Sequence, residues 1–387
     1  MQPIKLRKFD SDETDQQPHL QALRREVRDF LAGERQNGGY SREPAGWDRF
    51  DPSFSRKIGA QGWIGMSWPS IYGGGQRSGL ERYVVTEELL AAGAPVRAHW
   101  LADRQIGPLL LRHGTEAQKL KYLPRIAAGD CYFCAGLSEP DSGSDLASIR
   151  THAEQVAGGW RINGAKVWTS YAHRVDVMNL FARTSSNSED RHGGVSQFFV
   201  DMSLPGISVN PIRNLAGDHD FNEVVFDDVL LPEDSLIGVE GGGWRQVSGE
   251  LAHERSGSER WIDTYGVLVS LINHIGVNPD LHAAERIGVL VGRLWTLHRM
   301  SLSISVLLEQ GIEPVVEAAL VKDLGNQFEK DVPEIARLLV DEDSRATHEN
   351  GFSAMLERGV LYAPSFTIRG GTREILRGII ARGLGLR

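Results

Sequence analysis

The hydrophobic period changes twice along the chain, and this limits the possible folds more than any other feature. From residue 18 to about 130 apolar residues recur at helical spacing; Leu20, Leu23, Val27, Phe30 and Leu31 form one such face. Between 131 and 240 the pattern becomes short runs rich in Val, Ile, Phe and Trp, at 151–156, 160–162, 166–169, 177–182, 195–201 and 223–226. Gly, Asn, Asp or Pro bound each run, the signature of a small β barrel or sandwich. Gly158-Gly159 and Asn163-Gly164 read as turns between neighbouring strands. After Gly241-Gly242-Gly243 helical spacing returns, over 244–270, 283–309, 315–330, 334–348 and 372–381, enough helix for a bundle. The chain therefore reads as α+β: a helical domain over 1–130, a central β domain over 131–240 and a helical bundle over 241–387. Thr115 with Gln118 forms a capping box ahead of the helix at 117–126.

Composition removes several function classes. With 387 residues, 41% apolar and 24% charged, the chain can bury a sizeable core. Its net charge of −9 is opposite to that of a general nucleic-acid binder. No apolar run approaches the roughly eighteen residues of a membrane-spanning helix. Residues 1–5 lack an apolar targeting core, so a cytoplasmic location is expected. The two cysteines, Cys131 and Cys134, lie in a strand-like context rather than opening a helix, and read as ordinary thiols. A GxGxxG turn, a GxxxxGK[ST] loop and a His-Glu-x-x-His helix are all lacking, so no metal is expected.

Two segments suggest chemistry. Leu137-Ser138-Glu139-Pro140-Asp141-Ser142-Gly143-Ser144-Asp145 sets hydroxyls among turn formers just after a strand. On its own it could be a solvated turn. Further on, Lys166-Val167-Trp168-Thr169-Ser170 flanks a tryptophan with hydroxyls. Such a strand can stack on a flat cofactor, or the indole can be core.

Together, and in this order, the two segments resemble the acyl-CoA dehydrogenase family. Further matches are Gly107-Pro108 through 123–126, the segment 226–232 and the tail 370–382. The closest resemblance is to actinobacterial members acting on steroid side-chain or other bulky CoA thioesters. The resemblance implies an N-terminal helical domain, a central β barrel or sandwich and a C-terminal four-helix bundle. It implies FAD, contacted by Leu137, Ser138, Trp168, Ser170, Thr372 and Glu374. It sets Ser144 and Arg255 toward CoA and the Gly370 N–H at the thioester oxygen. An electron-transfer acceptor is implied, as is a homotetramer, a homodimer, or a heterotetramer with a diverged sister chain.

Many family members carry the catalytic glutamate where this chain has Gly370. A smaller group takes its base from the long helix after the β domain, directly before an arginine. Here that residue is Glu254, before Arg255. The implied reaction is α,β-dehydrogenation of an acyl-CoA, with Glu254 removing the α-proton. The Arg-x-Phe-Gly and Gly-Gly-x-Gly segments usual in the family are absent, at 276–286 and 348–352. The same fold also serves enoyl-CoA reductases, oxidases and non-catalytic subunits of a heteromer.

Overall fold

The computed structural model describes residues 7, 9, 14, 16–40, 48–185, 192–254, 257–340 and 351–386. Its contacts divide the chain into two compact units: a β unit of 50–76 and 97–251, and a helical unit of 1–49, 77–96 and 252–387.

The β unit holds eight strands: β1 Phe133–Gly136, β2 His152–Val156, β3 Gly159–Ser170, β4 Val177–Arg183, β5 Val195–Asp201, β6 Ile207–Ile212, β7 Phe221–Pro232 and β8 Leu236–Ile237. Their order is β6-β7-β3-β2-β4-β5-β8, with β1 parallel to β4. The sheet does not close, because β6 and β8 end the order. Only His152 and Arg183 pair β2 with β4. The sheet folds across that narrow seam. In a flat sheet β3 and β5 would lie about 14 Å apart, three strand spacings. Yet the Trp160 and Phe198 rings meet edge-on with centroids 5.1 Å apart. Ile162, Met178, Leu180, Val200, Val224 and Phe226 fill the same core. Of the two architectures left open above, this is the sandwich.

Two details of the β reading change. Asn163-Gly164 is not a turn: 160–162 and 166–169 belong to the single strand β3, with a register shift between Ile162 and Gly164. A Cβ at Gly164 would stand 2.6 Å from Thr151 Cα, so the bulge needs glycine. The edge strand β6 has no sequence signal, since Asn210-Pro211 interrupts it; proline is tolerated there because an edge leaves one side unpaired.

Around the sheet lie α2 Pro52–Ala60, α4 Arg97–Leu101, α5 Gly107–His113 and α6 Glu116–Ala127. Asp51 caps α2 by accepting the Phe54 N–H at 3.0 Å. The capping box at Thr115 forms in both directions: Thr115 Oγ1 accepts from the Gln118 N–H, and Gln118 Oε1 from the Thr115 N–H.

The helical unit contains α1 Pro18–Gln36, α3 Gly79–Ala91, α8 Tyr265–Ile275, α9 Leu281–Glu309, α10 Val315–Leu339, α11 Phe352–Tyr362 and α12 Arg373–Gly383. Here α10 packs against α8, α9, α11 and α12. The run 244–270 is not one helix. It breaks after α7, Gly243–Glu254, and resumes through a 3₁₀ turn, Ser258–Arg260, before α8. Conversely, 315–330 and 334–339 are one helix that passes through Pro333. The buried face of Phe328, Val332 and Ala336 compensates the hydrogen bond that proline removes. Residues 341–348 lie outside the described residues. Among the described residues no helix is long and apolar enough to cross a membrane.

Candidate active site

In the β unit the two segments singled out above are neighbours. The Val167 N–H donates to the Ser138 carbonyl at 2.9 Å. Lys166 fixes the same loop from beneath, its Nζ donating to the Leu137 carbonyl at 3.0 Å and to Glu139 Oε1 at 2.8 Å. The Glu139 carboxylate also accepts the backbone N–H groups of Arg150 and Thr151, at 2.6 and 2.9 Å. Burial would raise the Glu139 carboxyl, but Lys166 and these donors outweigh it and hold it below the usual range. Burial pulls the Lys166 ammonium down to about 8, against the opposing pull of Glu139. The pair is charged at neutral pH. Gly136 makes room for it: a Cβ there would lie 2.5 Å from Met178 Sδ and 3.3 Å from Lys166 Cγ.

Trp168 is exposed, at 59%, between half-buried Val167 and buried Thr169. A register shift between Lys166 and Thr169 breaks the β3–β7 ladder there, and Trp168 has φ +57°. A left-handed tryptophan costs about 1–3 kcal/mol, which the surrounding structure must offset. Its ring meets Phe221 edge-on at 5.9 Å, leaving an indole face bare. Thr169 Oγ1 is buried with no hydrogen-bond partner among the described residues. Ser138 and Ser170 are half-buried, and Ser144 is exposed.

Sequence reasoning missed the groups that brace this strand. Asn222 Nδ2 donates to the Thr169 carbonyl at 3.0 Å, and its Oδ1 meets His173 Nδ1 and His219 Nε2 at 3.1 and 2.7 Å. The two imidazoles stack at 3.8 Å. Burial and the neighbouring His219 lower the His173 pKa. No spacing rule links residues 173, 219 and 222. Lys166 and Glu139 could have been suspected as opposite charges flanking the two motifs. Cys131 and Cys134 are buried free thiols; burial pushes Cys131 up to about 12, so neither is a reactive thiolate.

In the helical unit Glu254 is the last residue of α7; its side chain is not among the described atoms, and Arg255 lies outside the described residues. Gly370 and Gly371 form a turn with φ +63° and +101°. Thr372 caps α12, its Oγ1 accepting the Ile375 N–H at 3.4 Å. Glu374 is exposed in the first turn, where the local N–H groups and Thr372 hold its carboxyl below the usual range. The usual glycine segment at 348–350 lies outside the described residues.

Comparison with known proteins now decides the family. Residues 17–130 match the acyl-CoA dehydrogenase N-terminal domain and 134–229 the acyl-CoA dehydrogenase middle domain. Acyl-CoA dehydrogenase IpdE1 of Mycolicibacterium smegmatis is 34% identical over 391 residues, covering 95% of this chain and 98% of the relative. The chain belongs to the acyl-CoA dehydrogenase family. IpdE1 of Mycobacterium tuberculosis is 33% identical, over 92% of this chain and 94% of its own length. Among solved structures, the Tcur3481-Tcur3483 steroid ACAD matches with a TM-score of 0.84 and 28% identity, covering 96% of this chain and 97% of its own. The ChsE4-ChsE5 complex of Mycobacterium tuberculosis matches at 0.80 and 27%, covering 96% and 98%.

An acyl-CoA dehydrogenase is an FAD enzyme, and the residues present fit a flavin. A bare indole face suits a flat heteroaromatic ring. The partnerless Thr169 hydroxyl and the hydroxyls of Ser138 and Ser170 suit a rim of ring heteroatoms.

Proposed function

We propose that this chain dehydrogenates a branched or bulky acyl-CoA thioester to the 2-enoyl-CoA, with Glu254 as the base that removes the α-proton. The observation that carries this reading is the backbone at Gly370. With φ +63° it disfavours any side chain, so no carboxylate can occupy that tail position without strain. Glu254, closing α7, is the remaining carboxylate at a family base position. The Gly370 N–H donates to the thioester oxygen and stabilises the enolate that forms as the proton leaves. Arg255 and Ser144 bind the CoA portion. Leu137, Ser138, Trp168 and Ser170, with Thr372 and Glu374 from the tail, hold the cofactor. FAD, when bound, supplies the two-electron oxidation by accepting the β-hydrogen as hydride, and an electron-transfer protein reoxidises it.

The site assembles in an oligomer, and a heteromer with a diverged sister chain accounts best for the missing family segments. The two-chain names of the steroid ACAD and of the ChsE4-ChsE5 complex support it. So do the exposed apolar side chains of α8, α9 and the link between them: Ile272, Val277, Leu281, Val289, Val291 and Trp295. The division at residues 130 and 240 and a cytoplasmic location belong to the same reading.

The test is anaerobic stopped-flow reduction of bound flavin. Glu254→Gln keeps FAD and thioester binding but slows reduction about 10²–10⁴-fold, or about 3–5 kcal/mol in the barrier. Reduction at the parent rate would show that another carboxylate is the base.

A further inference from the structure

The Gly370-Gly371 turn has no side chain to hold it, yet it is gripped on both sides. On its N-terminal side Arg369 Nη2 donates to the Asp263 carboxylate and lies 3.6 Å from Glu329 Oε2. On its C-terminal side Arg373 Nε donates to Asp323 Oδ1 at 2.7 Å, and Nη1 to Gln327 Oε1 at 2.8 Å. Asp323, Gln327 and Glu329 all belong to α10. The Asp263 N–H in turn donates to Glu329 Oε1 at 3.2 Å. One helix thus anchors both flanks of a diglycine. Beneath the turn, Arg260 Nη1 and Lys322 Cε stand 3.3 Å from where a Cβ on Gly370 would project. Glu329 is fully buried, and its Oε2 has no hydrogen-bond partner among the described residues. Burial and the nearby Asp263 push its carboxyl above the usual carboxylate range, against the opposing pull of Arg369 and Lys322.

We propose that Arg369, clamped by Asp263 and Glu329, is a positioning residue that aims the Gly370 N–H at the thioester carbonyl. This rests on the role given to Gly370 above. A donor to an enolate oxygen works only when held about 2.7–3.1 Å from where the negative charge develops. Two consecutive glycines in left-handed backbone have the widest conformational freedom of any dipeptide. A clamp on each flank removes that freedom before substrate binds. Arg369 is not assigned a contact with the substrate; its effect passes through the backbone.

The test uses the FAD-loaded protein, co-purified with its sister chain if one is required. The probe is cinnamoyl-CoA, a conjugated thioester whose absorption moves to longer wavelength when its carbonyl is hydrogen-bonded. The parent should show that red shift. Arg369→Gln should lose at least half of it and slow flavin reduction about tenfold or more. Its FAD content should stay unchanged, and its affinity for the thioester should stay within about threefold, because the main binding contacts survive. Arg369→Lys should recover part of both losses, since an ammonium still pairs with Asp263. Asp263→Asn leaves Arg369 in place and should reproduce the Arg369→Gln result, which guards against a folding defect in either variant. A full red shift in both Arg369→Gln and Asp263→Asn overturns the clamp while leaving the donor role of Gly370 intact. No red shift in the parent removes that role, and the clamp with it.

Discussion

Lys166 shows how one buried charge can serve both stability and function. Its ammonium is fully buried, pairs with Glu139 and holds the Leu137 carbonyl of the hydroxyl-rich loop. Lys166→Met strands the Glu139 carboxylate in the interior, which costs about 3 kcal/mol. Glu139→Gln added to it should return part of that loss, and urea unfolding of the FAD-free protein measures both. The pH dependence has two parts. The folded pKa of Glu139 lies below its ordinary 4.5, so its contribution is full above that value and is lost as pH falls through the lower one. The folded pKa of Lys166 is about 8 against an ordinary 10.5. Between those values the unfolded chain holds a proton that the folded chain has released, so this term makes stability rise with pH. Lys166→Met should abolish that alkaline rise. Weaker FAD retention in the same variant would follow from release of Leu137 and Ser138.

At the scale of elements, Gln118 does more than close a capping box. Its side-chain amide also donates to the carbonyls of Asp234 and Leu236, at 2.7 and 2.9 Å, joining α6 to the chain entering β8. Thr115→Ala loses only the cap, about 1 kcal/mol. Gln118→Ala loses the reciprocal cap bond and leaves two carbonyls short of a donor, about 2–3 kcal/mol. Thermal unfolding should rank the two variants in that order. The element boundaries that sequence misplaced have a common cause. Asn163-Gly164 reads as a turn by composition but sits opposite Phe226 as a bulge, because β7 continues past it. Pro333 reads as a break but stays helical because its neighbours are buried. In both cases a partner elsewhere in the chain overrides the local preference.

For the whole molecule, substrate size is the property in question. On the proposed reading, with Glu254 as the base, a glycine in place of the tail carboxylate would leave room for a branched or polycyclic acyl group. Flavin reduction by a steroid-side-chain or α-branched CoA thioester should therefore exceed reduction by a straight medium-chain thioester. An excess of about tenfold corresponds to about 1.4 kcal/mol in transition-state binding. Clear preference for the straight chain would reject the bulky-substrate reading. The comparison should use whichever assembly holds FAD at full occupancy.

By itself the sequence determined the alternation of helical and β segments, the hydroxyl-rich loop after β1, the hydroxyl-flanked Trp168 segment, and the absence of a carboxylate at Gly370. Each is legible because it depends on residues close together in the chain: a period, a turn composition, a motif. Tertiary structure decided the rest. It chose the sandwich over the barrel through a single β2–β4 rung, and it set Val167 against Ser138. It also joined Lys166 to Glu139, stacked His173 on His219, and brought Arg369 to Asp263 and Glu329. These pairings lie as much as 106 positions apart in the chain. They form because a charged or polar group removed from water must find a partner wherever the packed core places one, and no local pattern records where that will be.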